Sequence, residues 1–447
     1  MSHSAIDPSP ELPEIRSPYP RDPNRSRLSA WEHIKIASYW FGSNFLWGAF
    51  LGPVLSSHMN RLYAEDPAKI LGLLYMIGAI PALFVPLIFG PISDRCTSKM
   101  GRRRPYILTG GLVTMVGLLL MMAGFQMLSL LVYIGGYLVI QIGSNIALAA
   151  FSGVIPDLVP SDQRGVASGY MAVMSQFGTL VGALSSGFLL GSNLHAGLFL
   201  VMLVVFGLFV LFAVLGIKEN PLTANLPKFN WSEYFRSLWI DPRKYPDFAW
   251  VWITRALMML GFYSIQPYLL YYLRDVVHVS KPESTAAIVF GIILLAATFS
   301  GYAGGAVSDR TGRKPVVIWS TVVIAAMCIV LVFCQNLNQA LAAGLIFGLG
   351  YGAYISVDWA LGTDVLPAKK DAGKDMAVWH ISMTLPQQIA PLLAGSLMLS
   401  NFKGSKIIED GHQVQTYQWT GYLLVFTFAA ICFLLSGLLV RKVRGAR

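Results

Sequence analysis

Three ionisable side chains stand inside long apolar runs, where charge is costly: Arg255, Asp358 and His380. Intramembrane charges of this kind usually face a cavity or a partner. Arg255 lies about eight residues into its run, or about 12 Å at a helical rise, and the other two fall near the same end of theirs. An Asp358 carboxylate beside Arg255 or His380 can take up and release a proton as its surroundings rearrange, because a nearby cation favours the ionised form while burial opposes it. These three are the candidate coupling residues. The plain structural alternative is a fixed ion pair that joins helices.

Uncharged polar and aromatic groups form a second set, the candidate substrate contacts. Trp40, Asn44 and Trp47 recur at i, i+4 and i+7 and so share one helical face. Gln141 and Asn145 share another, and later runs add Tyr263 and Gln266, Tyr351 and Tyr354, then Thr384, Gln387 and Gln388. Amides beside rings suit a neutral polyhydroxylated solute, whose hydroxyls need donors and acceptors and whose C–H faces pack on aromatics. A single aromatic belongs as readily to a lipid belt or to helix packing. Several amides in an apolar medium need partners.

A third set is written twice. Residues 90–107 read GPISDRCTSKMGRRRPYI and residues 305–318 read GAVSDRTGRKPVVI. Downstream, Asp157 and Pro160 answer Asp364 and Pro367. The expected role is a latch: Asp94 meets the partly positive start of the eleventh helix, while Arg95, Arg102, Arg103 and Arg104 pair with Asp157. Asp309, Arg310, Arg313 and Asp364 mirror this in the second copy. Such contacts are expected to form only when that face is closed.

The elements that must position these groups follow from composition. The 447 residues are 55% hydrophobic and 13% charged, with mean hydropathy +0.58, which places the chain in a bilayer. A bilayer core needs about 20 apolar residues per helical span. Twelve runs meet this, at 36–55, 71–92, 106–125, 128–155, 166–190, 198–215, 248–272, 286–307, 315–334, 337–361, 376–399 and 417–440. The fold class is therefore all-α and integral to the membrane, with twelve transmembrane helices in two six-helix parallel repeats.

Domain organisation follows the same runs: a disordered cytoplasmic tail over 1–30, a six-helix half over 31–217, a cytoplasmic linker over 218–246, a second half over 247–441 and a short tail over 442–447. Of the 33 Lys and Arg, only Arg61, Lys69, Arg274, Lys281, Lys403 and Lys406 fall in the loops of one face, so the opposite face and both termini are read as cytoplasmic. The basic residues are thus topological, and no nucleic-acid partner is expected. The four cysteines follow no disulfide or metal-ligand spacing. No Gly-x-Ser-x-Gly elbow, His-Glu-x-x-His motif or cofactor fingerprint occurs, so neither an enzyme nor a bound cofactor is expected.

On these residues the chain resembles the major facilitator superfamily, which shares the 6+6 repeat and the GxxSDRxGRRxx loop. The run SDRCTSKMGRRRPYI (93–107), with Asn145, Pro156-Asp157-Leu158 and Pro386-Gln387, resembles more narrowly the sucrose–proton symporters and the glycoside-pentoside-hexuronide group, in bacterial form. Where plant sucrose symporters align an aspartate and an arginine, Gln141 and Ser152 stand here, and Tyr263-Ser264-Ile265-Gln266 replaces an aspartate-bearing pattern. The coupling groups of those relatives therefore do not transfer directly. The resemblance implies a monomeric secondary transporter in the cell membrane that moves a sugar or glycoside by alternating access, with a proton as the coupled partner. Export of amphipathic compounds and a non-transporting membrane sensor are the rival readings.

Overall fold

A computed structural model of the chain describes residues 27–160, 162–219, 221, 229–367, 372–409 and 411–444. Residues 1–26 of the expected tail, 220 and 222–228 of the expected linker, and 445–447 lie outside the described residues. Among the described residues ten helices are long and apolar enough to cross a membrane: Pro67–Asp94, Arg104–Gln126, Leu130–Leu158, Arg164–Gly191, His195–Gly216, Pro246–Asp275, Pro282–Thr311, Arg313–Val332, Leu337–Asp364 and Trp419–Lys442. They correspond to every expected run except the first and the eleventh. Those two are also helical, but broken.

The first pass runs Ala30–Ala49, widens to a π turn at Phe50–Val54 and resumes over Leu55–Leu62. It starts well before residue 36 because Ser29 and Glu32 form a capping box that satisfies the first free backbone donors. The widening follows from Gly52, at φ −77° and ψ −130°, and from Pro53, which has no N–H to give. The eleventh pass, Ala372–Leu392, likewise passes into a π-wound turn, Leu393–Leu399, after Pro386 and Pro391.

An even number of passes returns the chain to the face on which it starts, here called the terminal face. The other carries an antiparallel hairpin, Lys403–Glu409 with His412–Tyr417, that the apolar pattern does not announce. Within the first half the first pass packs on the fifth and the third on the fourth; in the second half the eighth packs on the tenth. The halves meet where the second pass faces the eleventh and the fifth faces the eighth.

That meeting is sealed on the hairpin face. Tyr268 Oη donates to the carbonyls of Pro391 (2.6 Å) and Ala68 (3.1 Å), Tyr271 Oη to Ser56 (2.8 Å), and Ser56 Oγ to Pro267 (2.6 Å). A Cβ on Gly72 would lie 2.7 Å from the Pro391 oxygen, so only glycine lets the second and eleventh backbones approach this closely. The hairpin closes over the seal: Asp66 takes Lys403 Nζ (2.9 Å), Tyr417 Oη (3.0 Å) and Ser400 Oγ. Burial, with Tyr271 and Asp66 close by, lifts the Tyr417 hydroxyl well above the usual phenol range, which keeps it a donor. Among the described residues two cross-half hydrogen bonds lie deeper, Gln266 Nε2 to the Leu51 carbonyl at 2.6 Å and Gln176 Nε2 to Thr298 Oγ1 at 3.1 Å. Beyond these Val173, Phe299 and Tyr302 stand exposed toward the terminal face.

Candidate functional site

The seventh, tenth and eleventh passes bring two of the three ionisable candidates into contact. Arg255 and Asp358 are each only 1% exposed, and Arg255 Nη1 donates to Asp358 Oδ2. Asp358 Oδ1 accepts from Tyr354 Oη at 3.2 Å, and Arg255 Nη2 lies 3.6 Å from Met383 Sδ. The guanidinium sits 3.5 Å from the centroid of the Trp379 ring, with the Trp359 ring at 5.9 Å. Trp379 is fully buried, so this cation–π contact is desolvated and stronger than an exposed one. The Arg255 Nε and Trp379 Nε1 donors have no partner among the described residues.

His380, by contrast, is solvent-exposed and makes no ion pair with Asp358 among the described residues; its backbone carbonyl accepts from Thr384 Oγ1 at 3.3 Å. The carboxylate is therefore paired with Arg255 rather than with His380. Sequence reasoning missed both indoles. A signal was present: each tryptophan adjoins an ionisable candidate, as Asp358-Trp359 and Trp379-His380.

The amides are mostly occupied within their own half. Asn44 Nδ2 donates to the Trp40 carbonyl (2.8 Å) and Ser175 Oγ (3.3 Å), binding the first pass to the fifth. Gln141 Nε2 donates to Tyr137 Oη at 2.9 Å and Asn145 Nδ2 to the Gln141 carbonyl at 2.8 Å, so this pair is internally satisfied. Gln266 reaches across the halves instead: its Nε2 donates to the Leu51 carbonyl at 2.6 Å. Tyr351 stacks on Phe262 at 4.4 Å, while Tyr263 meets that same ring edge-on. Trp47 packs on Phe50, and Gln387 is half-buried. Three polar atoms of this candidate set stay buried without a partner among the described residues, Trp40 Nε1 in the first pass, Gln266 Oε1 in the seventh and Gln388 Oε1 in the eleventh.

The charged loop departs from the expected latch. Arg103 is the hub: it pairs with Asp94, donates twice to Asp157 Oδ2 (3.0 and 3.2 Å) and once to Ser93 Oγ (2.8 Å). Arg102 joins Asp157 at 3.0 Å. Asp94 is thus paired within its own half by Arg103; residues 368–371, which lead into the eleventh helix, lie outside the described residues. Gly101, at φ +99°, turns the chain back so that the arginines reach both carboxylates, and Glu219 Oε2 accepts the backbone N–H groups of Arg103 and Arg104 at 2.8 and 3.3 Å. Arg95 turns from Asp157 to lie over the Phe229 ring at 5.0 Å.

The second copy repeats the pattern. Arg313 meets Asp364 at 2.5 Å and Asp309 at 3.8 Å, while Arg310 is exposed. Each of these ion pairs lies inside one half.

Comparison with known proteins gives the same architecture. The profile described as "Major Facilitator Superfamily" matches residues 36–370 and 282–447. Sucrose transport protein SUC4 of Arabidopsis thaliana is 25% identical over 175 residues, 36% of this chain and 34% of that protein, so the match spans about a third of its length. Multi-drug resistance efflux pump PmrA of Streptococcus pneumoniae is 27% identical over 396 residues, 83% of this chain and 90% of that one. Among solved structures, a D-xylose-proton symporter superposes with a TM-score of 0.66 at 16% identity, covering 93% of this chain and 98% of that one.

Proposed function

This chain belongs to the Major Facilitator Superfamily, and from that premise we propose that it carries a sugar or glycoside across the cell membrane by alternating access, coupled to a proton. The terminal face is cytoplasmic, because basic loops resist translocation and nearly all the Lys and Arg lie there. The chain acts as a monomer, with cargo taken between its two halves near mid-membrane.

The observation that carries the reading is a pair of unpartnered polar atoms in opposite halves, Trp40 Nε1 and Gln388 Oε1. A buried donor or acceptor left unpaired costs about 1–3 kcal/mol. A polyhydroxylated solute supplies a hydroxyl oxygen to the indole and a hydroxyl proton to the amide, and Trp40, Trp47 and Tyr263 offer faces for its C–H surfaces. Sucrose is the cargo named for the Arabidopsis relative, which supports this class.

Coupling rests on Asp358. With Asp358 ionised, its charge holds Arg255 against Trp379; a proton on the carboxylate weakens that attraction and frees the seventh, tenth and eleventh passes to repack. Neither residue needs to touch cargo for this. The charged loops brace each half as a rigid body, so that rearrangement is concentrated where the halves meet.

Reconstituted protein should take up labelled sucrose or a related glycoside in counterflow and concentrate it under an inward proton gradient. Uptake of no mono- or disaccharide in a broad panel, with ethidium moved instead, overturns the reading. That outcome is the second reading, export of amphipathic compounds, and one observation favours it: the likeness to the pneumococcal pump covers far more of the chain than the sucrose match does.

A further inference from the structure

The hairpin face carries a second set of buried titratable groups, in the first half and away from Asp358. His58, fully buried near the end of the first pass, places Nδ1 2.9 Å from Tyr133 Oη of the fourth pass and Nε2 3.4 Å from His195 Nδ1 at the start of the sixth. Phe125 of the third pass and Phe199 of the sixth close around the rings, with Phe125 at 4.2 Å from His58 and 4.7 Å from His195.

One imidazole must donate to the other. With one added proton both contacts survive: His195 Nδ1–H donates to His58 Nε2, and His58 Nδ1–H donates to the Tyr133 oxygen. A second added proton would set two cations in contact among aromatic rings, so the pair holds one.

His195 also lines a small cleft where the halves meet, with room for about one water molecule, about 20 Å³. The first half brings Arg61 and His195 to it; the second brings Glu283 at the start of the eighth pass and Glu409 and His412 of the hairpin. One wall is thus basic and the other acidic. Ser57 Oγ already donates across to Glu283 Oε1 at 3.2 Å. Arg61, a like charge on the same pass as His58, donates to Asn193 Oδ1 at 2.6 Å, and Arg274 of the seventh pass reaches Glu409 at 3.7 Å.

We propose that His58 and His195 form a one-proton site on the hairpin face, whose charge draws Glu283 and Glu409 of the other half toward it and tightens the seal. The attraction exists only while the halves meet, so the sealed state binds the proton more tightly and acid favours sealing. That gain is fully present in acid and is lost as pH rises through the histidine range, about 6.5 for a free side chain. With this face outside, an acid exterior favours the form closed to it, the direction a proton-driven importer needs. The site rests on the alternating-access reading but involves neither Asp358 nor cargo.

The test is the distance between spin labels at Met127→Cys and Lys281→Cys, in the full chain without its four native cysteines, held in lipid nanodiscs. Both positions are exposed, one in each half, on the hairpin face and outside the seal. From about pH 8 to about pH 5.5 the ratio of short- to long-distance populations should rise about tenfold, the effect of a one-unit difference in proton affinity between the states. His195→Gln should remove most of that rise. Glu283→Gln with Glu409→Gln should do the same while leaving the aromatic cage intact, and His412→Gln should not. A rise that survives His195→Gln, or that is lost in His412→Gln, would overturn the proton site; one that survives the double carboxylate variant would overturn the attraction across the cleft, even if His195→Gln fails to fold. Mixed populations that do not change with pH would overturn the site and leave alternating access standing, whereas a single distance at every pH, with or without sugar, would overturn both.

Discussion

Asp358→Asn is the most informative perturbation. The substitution keeps the size of the side chain and still lets Tyr354 donate to an oxygen, but it removes the counter-charge from Arg255. Both side chains of the pair are nearly dry, at 1% and 2% exposed, so water cannot take over. Removing one partner of a buried pair costs about 3–5 kcal/mol, because the survivor is left as an uncompensated charge. Trp379 at 3.5 Å offsets part of this, by about 2 kcal/mol for a desolvated cation–π contact. The single variant should therefore be markedly less heat-stable, whereas Arg255→Met combined with Asp358→Leu should recover most of the loss.

The coupling readout is separate. One proton per solute under a one-unit pH gradient supports about tenfold accumulation. Proteoliposomes bearing Asp358→Asn should lose that accumulation while retaining counterflow exchange. Accumulation that still follows the pH gradient would refute the coupling role, and a double variant as unstable as the single would refute the buried-charge argument.

Three further outcomes are expected. Asp66→Asn weakens the bonds to Lys403, Ser400 and Tyr417 that hold the hairpin over the seal; at about 1–3 kcal/mol it should raise cysteine labelling from the hairpin face by roughly tenfold or more, and unchanged labelling would show the seal to be held elsewhere. Gly72→Val drives a side chain against Pro391 and Leu392 and should cost about 1–3 kcal/mol while spreading spin labels placed across the second and eleventh passes; an unchanged label distance would contradict the close-approach argument. Arg103→Ala removes the ion-pair partner of Asp94 and leaves Asp157 with Arg102 alone, so melting temperature should fall while the ratio of inward to outward cysteine accessibility stays constant. A shift in that ratio would restore the latch across the halves.

The helical passes, their number and the doubled charged loop are legible in the sequence because bilayer thickness fixes run length and each half repeats the motif. Arg255 and Asp358 stand out for the same reason, as charges where hydrocarbon is expected. The hairpin is not legible, since its strands pair with each other across a short turn and alternate too weakly to register beside long apolar runs. Nor are the breaks in the first and eleventh passes, where Gly52 or a pair of prolines permits a break without dictating one.

Partner choice is what tertiary structure decided. From sequence, Asp358 has two candidates; the packing of the seventh and tenth passes delivers Arg255 to the carboxylate, while His380 stays solvent-accessible and makes no ion pair with Asp358 among the described residues. Asp94 likewise follows the backbone: the positive φ of Gly101 turns Arg103 inward, where it meets that carboxylate within the same half. The amides show the limit most plainly. Their spacing fixes a shared face, but whether Gln141 meets cargo, Tyr137 or Asn145 depends on what stands opposite, and only the packed helices set that.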